Sequence, residues 1–185
     1  MKKYFIQNKP FLLFLGKFLL TYVLLTFVYE SYLNNFDSKK FETDGFTQFV
    51  AQQTVDLLSF FKFNAYSAIN YFESSVKLIY NNKFIARVVE GCNGLSVIIL
   101  FISFIIAFTG KLKYTLIYIL VGVLIIHVLN VARIALLCIL LFKYPESESL
   151  LHGVIFPLII YGAVFLLWII WVNNYSIYAK KSLQK

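Results

Sequence analysis

The chain carries the sequence Arg-Val-Val-Glu-Gly-Cys-Asn-Gly-Leu-Ser at 87–96, between a β-like segment and a long apolar run. This stretch places a carboxylate (Glu90), a thiol (Cys92) and an amide (Asn93) close together, with a glycine on either side of the last two. Glycine lets the backbone turn sharply and leaves room around the sulfur. We therefore expect Cys92 at a strand-to-helix junction, near the start of a membrane helix.

The composition of the chain indicates a polytopic membrane protein. Of its 185 residues, 60% are hydrophobic, and the mean hydropathy is +0.76. Several apolar runs approach the roughly 20 residues that a helix needs to cross a bilayer. The net charge is +8, but many basic residues flank apolar runs, where they fix membrane topology. Nucleic-acid binding is therefore disfavoured.

The cysteines and histidines do not form a metal-binding pattern. The chain has two cysteines, no CxxC motif and two histidines, which is too few for a disulfide framework or a structural zinc site. We expect no cofactor and no metal. The basic start, Met1-Lys2-Lys3, precedes a long apolar run without a small-residue cleavage site, which favours an uncleaved first membrane helix over a signal peptide.

The apolar runs predict a mainly α-helical membrane bundle in a single domain, 1–185. Four runs are expected to span the membrane, at about 11–29, 94–109, 114–142 and 153–172. Lysines at 2, 3 and 9 and at 180, 181 and 185 put both termini in the cytoplasm by the positive-inside rule. The third run is too long for one straight crossing. Either its helix protrudes on the outer side, or it breaks near Asn130 and gives a fifth segment.

An outer region, 31–90, separates the first two spans. Within it, Gly45–Phe61 has the apolar spacing of an amphipathic helix, which Asp44 can cap. We expect this helix to lie on the outer leaflet or to cover the other spans. A helix of a water-soluble core is excluded at this stage, because the chain offers no such core for it to join.

A short β-hairpin is predicted directly before the cysteine. Residues 64–89 are rich in β-branched and aromatic side chains. Asn81 and Asn82 separate Val76–Tyr80 from Lys83–Val89, and asparagine tolerates the positive φ angles of a two-residue hairpin turn. The second strand of this hairpin leads straight into the segment that contains Cys92.

Three chemically active residues return to one membrane face in this topology. Cys92 opens the second span, Arg133 follows the outer end of the third, and His152 opens the fourth. A nearby cation increases the thiolate fraction of a cysteine, and Arg133 can also stabilise an oxyanion. His152 can move a proton between nucleophile and leaving amine. This set suffices for acyl transfer through a thioester, with Glu90, Asn93 and Asn130 as accessory residues.

Each of these residues also has a plainer interpretation. Arg133 can anchor a helix at the interface, His152 can be an ordinary interfacial histidine, and Asn130 can position Arg133 or satisfy broken backbone. Glu90 can pair with Arg87 at the end of the strand. Two residues lie deeper in apolar runs, His127 and Cys138. We expect them to serve packing or hydrogen bonding, with a catalytic accessory role as the less favoured alternative for His127.

The same residues resemble the exosortase/archaeosortase family. The segment 90–95, Glu-Gly-Cys-Asn-Gly-Leu, is similar to the family's Cys-Ser/Thr-Gly-Leu block, and 130–134, Asn-Val-Ala-Arg-Ile, to its Asn-x-x-Arg-Ile block. His152 corresponds to the third signature position. Asn93 departs from the usual Ser/Thr after the cysteine. The small size and the Tyr/Phe/Asn/Lys-rich composition resemble the small F-type exosortase of Bacteroidetes-like bacteria.

The resemblance implies a membrane cysteine protease or transpeptidase. By position, Cys92 would be the nucleophile, Arg133 the thiolate and oxyanion stabiliser, and His152 the general acid/base. Its partners would be exported proteins with a C-terminal motif, a transmembrane helix and a basic tail, and an envelope glycan or lipid acceptor or water. The implied location is the inner membrane, with the site on the outer side. The alternatives are a non-catalytic membrane scaffold and, less favoured without inverted repeats, a transporter subunit.

Overall fold

The computed structural model describes residues 8–37 and 40–176. The elements in this part of the chain are α1 (Lys9–Leu33), α2 (Gly45–Phe60), β1 (Ala65–Ile69), β2 (Ser75–Tyr80), β3 (Lys83–Val89), α3 (Leu95–Ala107), α4 (Leu112–Lys143) and α5 (Phe156–Asn174). A 3₁₀ turn, Glu90–Cys92, precedes α3, and a π-helical turn, Leu151–Ile155, leads into α5. The terminal lysines at 2, 3, 180, 181 and 185 lie outside the described residues.

Three helical segments are long and apolar enough to cross a membrane, namely α1, α4 and Pro145–Asn174. The prediction of a polytopic helical membrane protein is confirmed. The helix α3 has 13 residues, which span about 20 Å of a hydrocarbon layer about 30 Å thick. The predicted count of four spans is therefore not confirmed.

The helix α4 settles one alternative that the sequence leaves open. It runs unbroken through Asn130 for 32 residues, or about 48 Å at 1.5 Å per residue. The break near Asn130 is therefore wrong, and this asparagine does not satisfy broken backbone. Because α4 is longer than the hydrocarbon layer is thick, its remainder is available to pack against structure outside the membrane.

The long helices pack in antiparallel order. Lys17 near the start of α1 donates from Nζ to Oγ1 of Thr109, just beyond α3, at 2.8 Å. The Phe101 ring of α3 contacts the Tyr118 ring early in α4, with ring centroids 6.3 Å apart. Tyr118 also donates from its hydroxyl to the Leu167 carbonyl late in α5, at 2.7 Å. The starts of α3 and α5 and the C-terminal part of α4 therefore lie at one end of the bundle.

The region before Cys92 is a three-stranded antiparallel sheet in the order β1-β2-β3. Its second turn confirms the predicted hairpin, because Tyr80 pairs with Lys83 and Asn81 and Asn82 have φ angles of 48° and 61°. Positive φ at both central positions is typical of the two-residue turns that match the twist of a hairpin. The strand β1 was not predicted separately.

The helix α2 confirms the predicted amphipathic helix, and it packs against α4. Asp44 caps it, since Oδ1 accepts from the backbone N–H of Thr47 at 2.9 Å. Its apolar face joins a hydrophobic core with the sheet and the C-terminal half of α4, formed by Val50, Ala51, Val55, Leu58, Val76, Leu78, Val88, Val131, Ile134, Ala135 and Cys138. Of the two expected placements, the structure therefore supports the one in which α2 covers another span, because its apolar face packs on α4.

Candidate active site

Cys92 is the last residue of the 3₁₀ turn between β3 and α3, which confirms the predicted strand-to-helix junction. Gly94 caps α3 with a φ of +90°, and a Cβ there would lie 3.1 Å from Nδ2 of Asn130. This position requires glycine for both its backbone angle and its close approach. Gly91 does not, because a Cβ built there meets no atom within 4 Å. The Asn130 amide, which holds the loop, occupies the space that a side chain at position 94 would need.

Asn93 fixes the cysteine loop from one side. Its side chain is 1% exposed, and Nδ2 donates to the hydroxyl of Tyr29 at 3.1 Å and to that of Thr47 at 3.0 Å. Its Oδ1 accepts from the backbone N–H of Leu95 at 2.9 Å. The loop is thereby tied to α1, α2 and the start of α3. No sequence motif marks Tyr29 or Thr47 as partners of Asn93. For Thr47, its polar side chain on the buried face of α2 is a signal that the sequence does contain.

Asn130 fixes the same loop from the other side. It is 1% exposed, and its Nδ2 donates to the backbone carbonyl of Cys92 at 3.0 Å. Its Oδ1 accepts from Nη1 of Arg133 at 3.4 Å, one turn further along α4. A single buried amide thus links the cysteine loop to the guanidinium. Of the two roles considered for Asn130, the geometry supports the positioning of Arg133.

One buried donor of Arg133 has no partner in the described part of the chain. This donor is the Nε–H group. The neighbouring Val131 and Ile134 are 8% and 4% exposed, so the stem of Arg133 emerges from an apolar surface. An unpaired buried donor on a cation is costly. Such a group is suited to receive an oxygen acceptor that arrives with a substrate.

His152 lies in a different setting. It is exposed, within the π-helical turn before α5, and within the described chain it forms no hydrogen bond with Cys92 or Arg133. The residues around it are anchored, because Leu151 and Phe156 share a buried cluster with Leu137 and Leu141 of α4. The turn therefore packs against α4 at positions beginning one helical turn beyond Arg133. The hydrogen bonds bring together Cys92 and Arg133, through Asn130, and do not include His152.

Glu90 does not form the ion pair considered for it. Arg87 instead pairs with Glu73, with Nη1 and Oε2 2.8 Å apart. Burial raises the pKa of the Glu90 carboxyl, and the negative charge of Asp44 raises it further. Two carboxylates close to each other therefore stand beside the cysteine loop.

The two residues assigned to packing occupy the expected kinds of position. His127 forms a hydrogen bond between Nε2 and Oε1 of Gln53 at 2.6 Å, and its ring stacks on Phe49 with centroids 6.0 Å apart. It therefore joins α4 to α2. Cys138 is 0% exposed within the core beneath the sheet.

Comparison with known proteins identifies the family. The model of the transmembrane exosortase family matches residues 10–172. This range contains Cys92, Arg133 and His152, as well as the two asparagines that hold the cysteine loop, Asn93 and Asn130. Searches of curated proteins and of solved structures each returned no match. The family match extends over most of the chain, from α1 through α5. The chain therefore belongs to the transmembrane exosortase family.

Proposed function

We propose that the protein is a cysteine transpeptidase of the small F-type, which cleaves the C-terminal sorting signal of exported proteins through a thioester. Its substrates carry a short motif, a transmembrane helix and a basic tail. In this proposal the enzyme resides in the inner membrane with both termini in the cytoplasm. The cysteine loop then faces the outer side, where the exported part of the substrate is available.

One observation carries the proposal: a buried amide joins the Cys92 loop to a cation with an unused donor. Asn130 binds the Cys92 carbonyl at 3.0 Å and Arg133 at 3.4 Å, while Nε of Arg133 is buried without a partner. A permanent positive charge near a thiol favours the thiolate. The free N–H supplies a donor for the oxygen on which charge develops during acyl transfer.

The first half of the reaction forms a thioester. The Cys92 thiolate attacks the scissile carbonyl carbon, and the carbonyl oxygen becomes an oxyanion that Arg133 stabilises. When this intermediate collapses, the C–N bond breaks, and His152 donates a proton to the departing amine. The products are an acyl group on the sulfur of Cys92 and the free transmembrane tail.

The second half regenerates the enzyme. A nucleophile, either an acceptor in the envelope or water, loses a proton to the neutral His152 and attacks the thioester carbonyl. The C–S bond breaks, and Cys92 leaves as a thiolate beside Arg133. The new carboxyl end of the exported protein is then joined to the acceptor or released as an acid.

Co-expression with an exported protein that carries such a C-terminal signal tests the proposal. Cys92→Ala should abolish processing, measured as the loss of the shorter product on a gel, while the enzyme remains in the membrane. Cys138→Ala removes the other thiol and serves as the matched control, because Cys138 packs in the core away from the loop. Arg133→Lys should also be damaging, since lysine lacks the planar fork of donors.

A non-catalytic scaffold predicts a different result. If Cys92→Ala processes the substrate as well as the wild type does, the proposal is wrong. The reactivity of the thiol gives a second test without a substrate. An activated Cys92 should react with a neutral thiol reagent faster than free cysteine does at pH 7.

A further inference from the structure

The turn between β1 and β2, the sheet tip (residues 69–74), presents large apolar side chains to its surroundings. Ile69 is 58% exposed, Tyr71 75% and Phe72 81%. Apolar surface is more stable when it is removed from water, and exposed apolar groups that lie together mark interaction surfaces. The sheet tip is therefore a candidate for contact with a partner.

The polar groups of the sheet tip fix its shape. Asn70 donates from Nδ2 to Oγ of Ser75 at 2.9 Å, and its Oδ1 accepts from the backbone N–H of Phe72 at 3.2 Å. Glu73 pairs with Arg87 of β3 at 2.8 Å. Asn70 and Ser75 are both buried. The polar side chains of the turn are thus bonded, while its aromatic side chains are held outward.

The apolar surface of the sheet tip continues onto the end of a membrane helix. Phe36, which follows α1, lines one groove together with Phe41, Ile69 and Tyr71. The helix α1 is long and apolar enough to cross a membrane, and none of its residues, Lys9–Leu33, is buried. Its surface therefore faces lipid, and the groove joins that surface to the sheet tip.

The helix α4 locates both surfaces of the hydrocarbon layer. Lys111 and Lys113 stand at the start of this helix, and lysines at the end of a membrane helix lie at the membrane surface. A layer about 30 Å thick takes up about 20 helical residues, so the second surface lies near Val131. The neighbouring Asn130 binds the Cys92 carbonyl at 3.0 Å. The cysteine loop is therefore close to this second surface.

The sheet tip lies at the same level as the cysteine loop. Val89 directly precedes the 3₁₀ turn that contains Cys92, and it pairs with Ser75 at the base of the tip. The opposite end of the sheet is further from the membrane, because the Tyr80 ring contacts that of Phe142, near the end of α4, with centroids 5.0 Å apart. The strands therefore rise away from the membrane surface, and the tip is their end nearest to it.

Lys77 adds a charge that suits a lipid headgroup. Its Nζ lies 5.5 Å from the centroid of the Phe72 ring. Its place on β2 is beyond Ser75, on the side of the tip away from the hydrocarbon layer. Aromatic side chains favour the boundary between headgroups and acyl chains, whereas lysine extends its ammonium toward the phosphates. The ring and the ammonium thus follow the order that a lipid leaflet offers.

We propose that the sheet tip inserts the side chains of Tyr71 and Phe72 into the lipid leaflet beside the cysteine loop, at the level of the headgroups. The partner of this surface is the bilayer itself. The contact ties the sheet to the membrane at the point where β3 leads into the turn with Cys92. It does not require the reaction proposed for Cys92.

A fluorescent probe on the sheet tip tests the insertion in the full-length protein. Cys92→Ala and Cys138→Ala remove both native thiols, so that Phe72→Cys in this background carries a single one. That thiol is labelled with a nitrobenzoxadiazole group, whose emission moves to shorter wavelength in apolar surroundings. The labelled protein is reconstituted into vesicles of dioleoylphosphatidylcholine, with or without a lipid that carries a nitroxide quencher near its headgroup.

Phe60→Cys in the same background is the matched control. Phe60 is also an exposed phenylalanine, at 78%, but it is the last residue of α2. The chain then reaches Phe63, whose ring lies 5.8 Å from that of Tyr80, at the end of the sheet away from the tip. A probe at position 60 should therefore remain in water.

The probe on the sheet tip should emit at shorter wavelength than the control, lose more intensity to the nitroxide lipid and lose less to aqueous iodide. Tyr71→Cys provides a second labelled position, with the same expected result, should Phe72→Cys fail to fold. Equal responses of the tip and control probes to both quenchers would overturn the proposal. Protection of the tip probe from both quenchers would also overturn it, because that result indicates a protein contact instead of lipid.

Discussion

The cysteine loop and the histidine turn lie at the same end of the bundle, yet they are held in opposite ways. The loop around Cys92 is fixed by two buried amides, Asn93 and Asn130, whose bonds reach three helices. His152 is exposed in a π-helical turn, and no hydrogen bond to Cys92 or Arg133 is present in the described structure. The proposed nucleophile is therefore positioned before a substrate arrives, whereas the proposed acid/base residue is not.

This difference separates two kinds of contribution to catalysis. Hydrogen bonds to buried groups lock a side chain or a loop in one geometry and also contribute to stability. An exposed residue contributes little to stability, so its substitution changes activity alone. π-helical turns are frequent at functional sites, and the turn at His152 is consistent with this pattern. Variants of the two regions should therefore differ in which measurement they change.

Among variants of residues that bind or transfer protons around Cys92, His152→Gln should change activity most. If His152 transfers protons, its loss should slow processing by about 10²–10⁴-fold. Because the side chain is exposed and unbonded, the free energy of unfolding should change by no more than about 0.5 kcal/mol. Processing rate and thermal unfolding of the same preparation measure the two effects. Ser149→Ala, at an exposed position of the same segment, is the control and should change neither. A His152→Gln enzyme with normal activity would remove this residue from the mechanism.

Asn130→Ala should change both measurements. It leaves the Cys92 carbonyl and a guanidinium donor without their partner, at about 1–3 kcal/mol for each buried group, and it releases the loop. Asn130→Asp is the informative companion, since its carboxylate keeps an acceptor for Arg133 but has no N–H for Cys92. We expect the aspartate variant to regain stability more than activity. Equal recovery of both would contradict a positioning role for the Asn130–Cys92 bond.

Gly94→Ala tests the packing of the loop rather than its hydrogen bonds. An alanine at a φ of +90° costs about 1–2 kcal/mol in the left-handed region, and its Cβ would press against the Asn130 amide. We expect a lower Tm and reduced processing. Gly91→Ala, three residues earlier in open space, should be close to neutral. If the two variants lose the same stability, the backbone at Gly94 is not the constraint.

The smallest effect is the dependence on pH from Glu90. Its pKa is raised in the folded protein above the ordinary 4.5, so the folded state binds the proton more tightly than the unfolded state does. The free energy of unfolding therefore falls as pH rises from about 4.5 through the folded pKa. Glu90→Gln should remove this fall and exceed the wild type in stability at pH 7 by about a few tenths of a kcal/mol. Tm measured across this range checks the sign, with Glu146→Gln as an exposed carboxylate control. A difference in Tm between Glu90→Gln and the wild type that stays constant over the same rise in pH would contradict it.

The sequence was sufficient for the features that depend on local chemistry. The Asn81–Asn82 turn, the Asp44 cap and three of the four predicted membrane helices follow from local patterns, and the structure confirms them. The convergence of Cys92 and Arg133 followed from topology alone, since antiparallel spans return alternate ends to one face. Nothing in the sequence marks the Asn130 amide as the link between Cys92 and Arg133.

The parts that the sequence did not reveal depend on surfaces that are far apart in the chain. The C-terminal half of α4 is as apolar as a membrane span, so nothing local indicates that residues such as Cys138 belong to a core shared with α2 and the sheet. Tyr29 and Thr47 reach Asn93 from α1 and α2 and have no motif of their own. The Thr43 hydroxyl is buried without a hydrogen-bond partner in the described part of the chain, and the sequence does not indicate this because it depends on three-dimensional packing.

The central claim is that Cys92 carries the acyl group of the substrate during the reaction. Purified Cys138→Ala enzyme, mixed with a peptide that carries the sorting signal and quenched in acid, can be weighed by intact-protein mass spectrometry. We expect an added mass equal to the peptide fragment before the cut, located on Cys92 and removed by hydroxylamine. Signal cleavage by an enzyme that also lacks Cys92, or an adduct located on another residue, would contradict it.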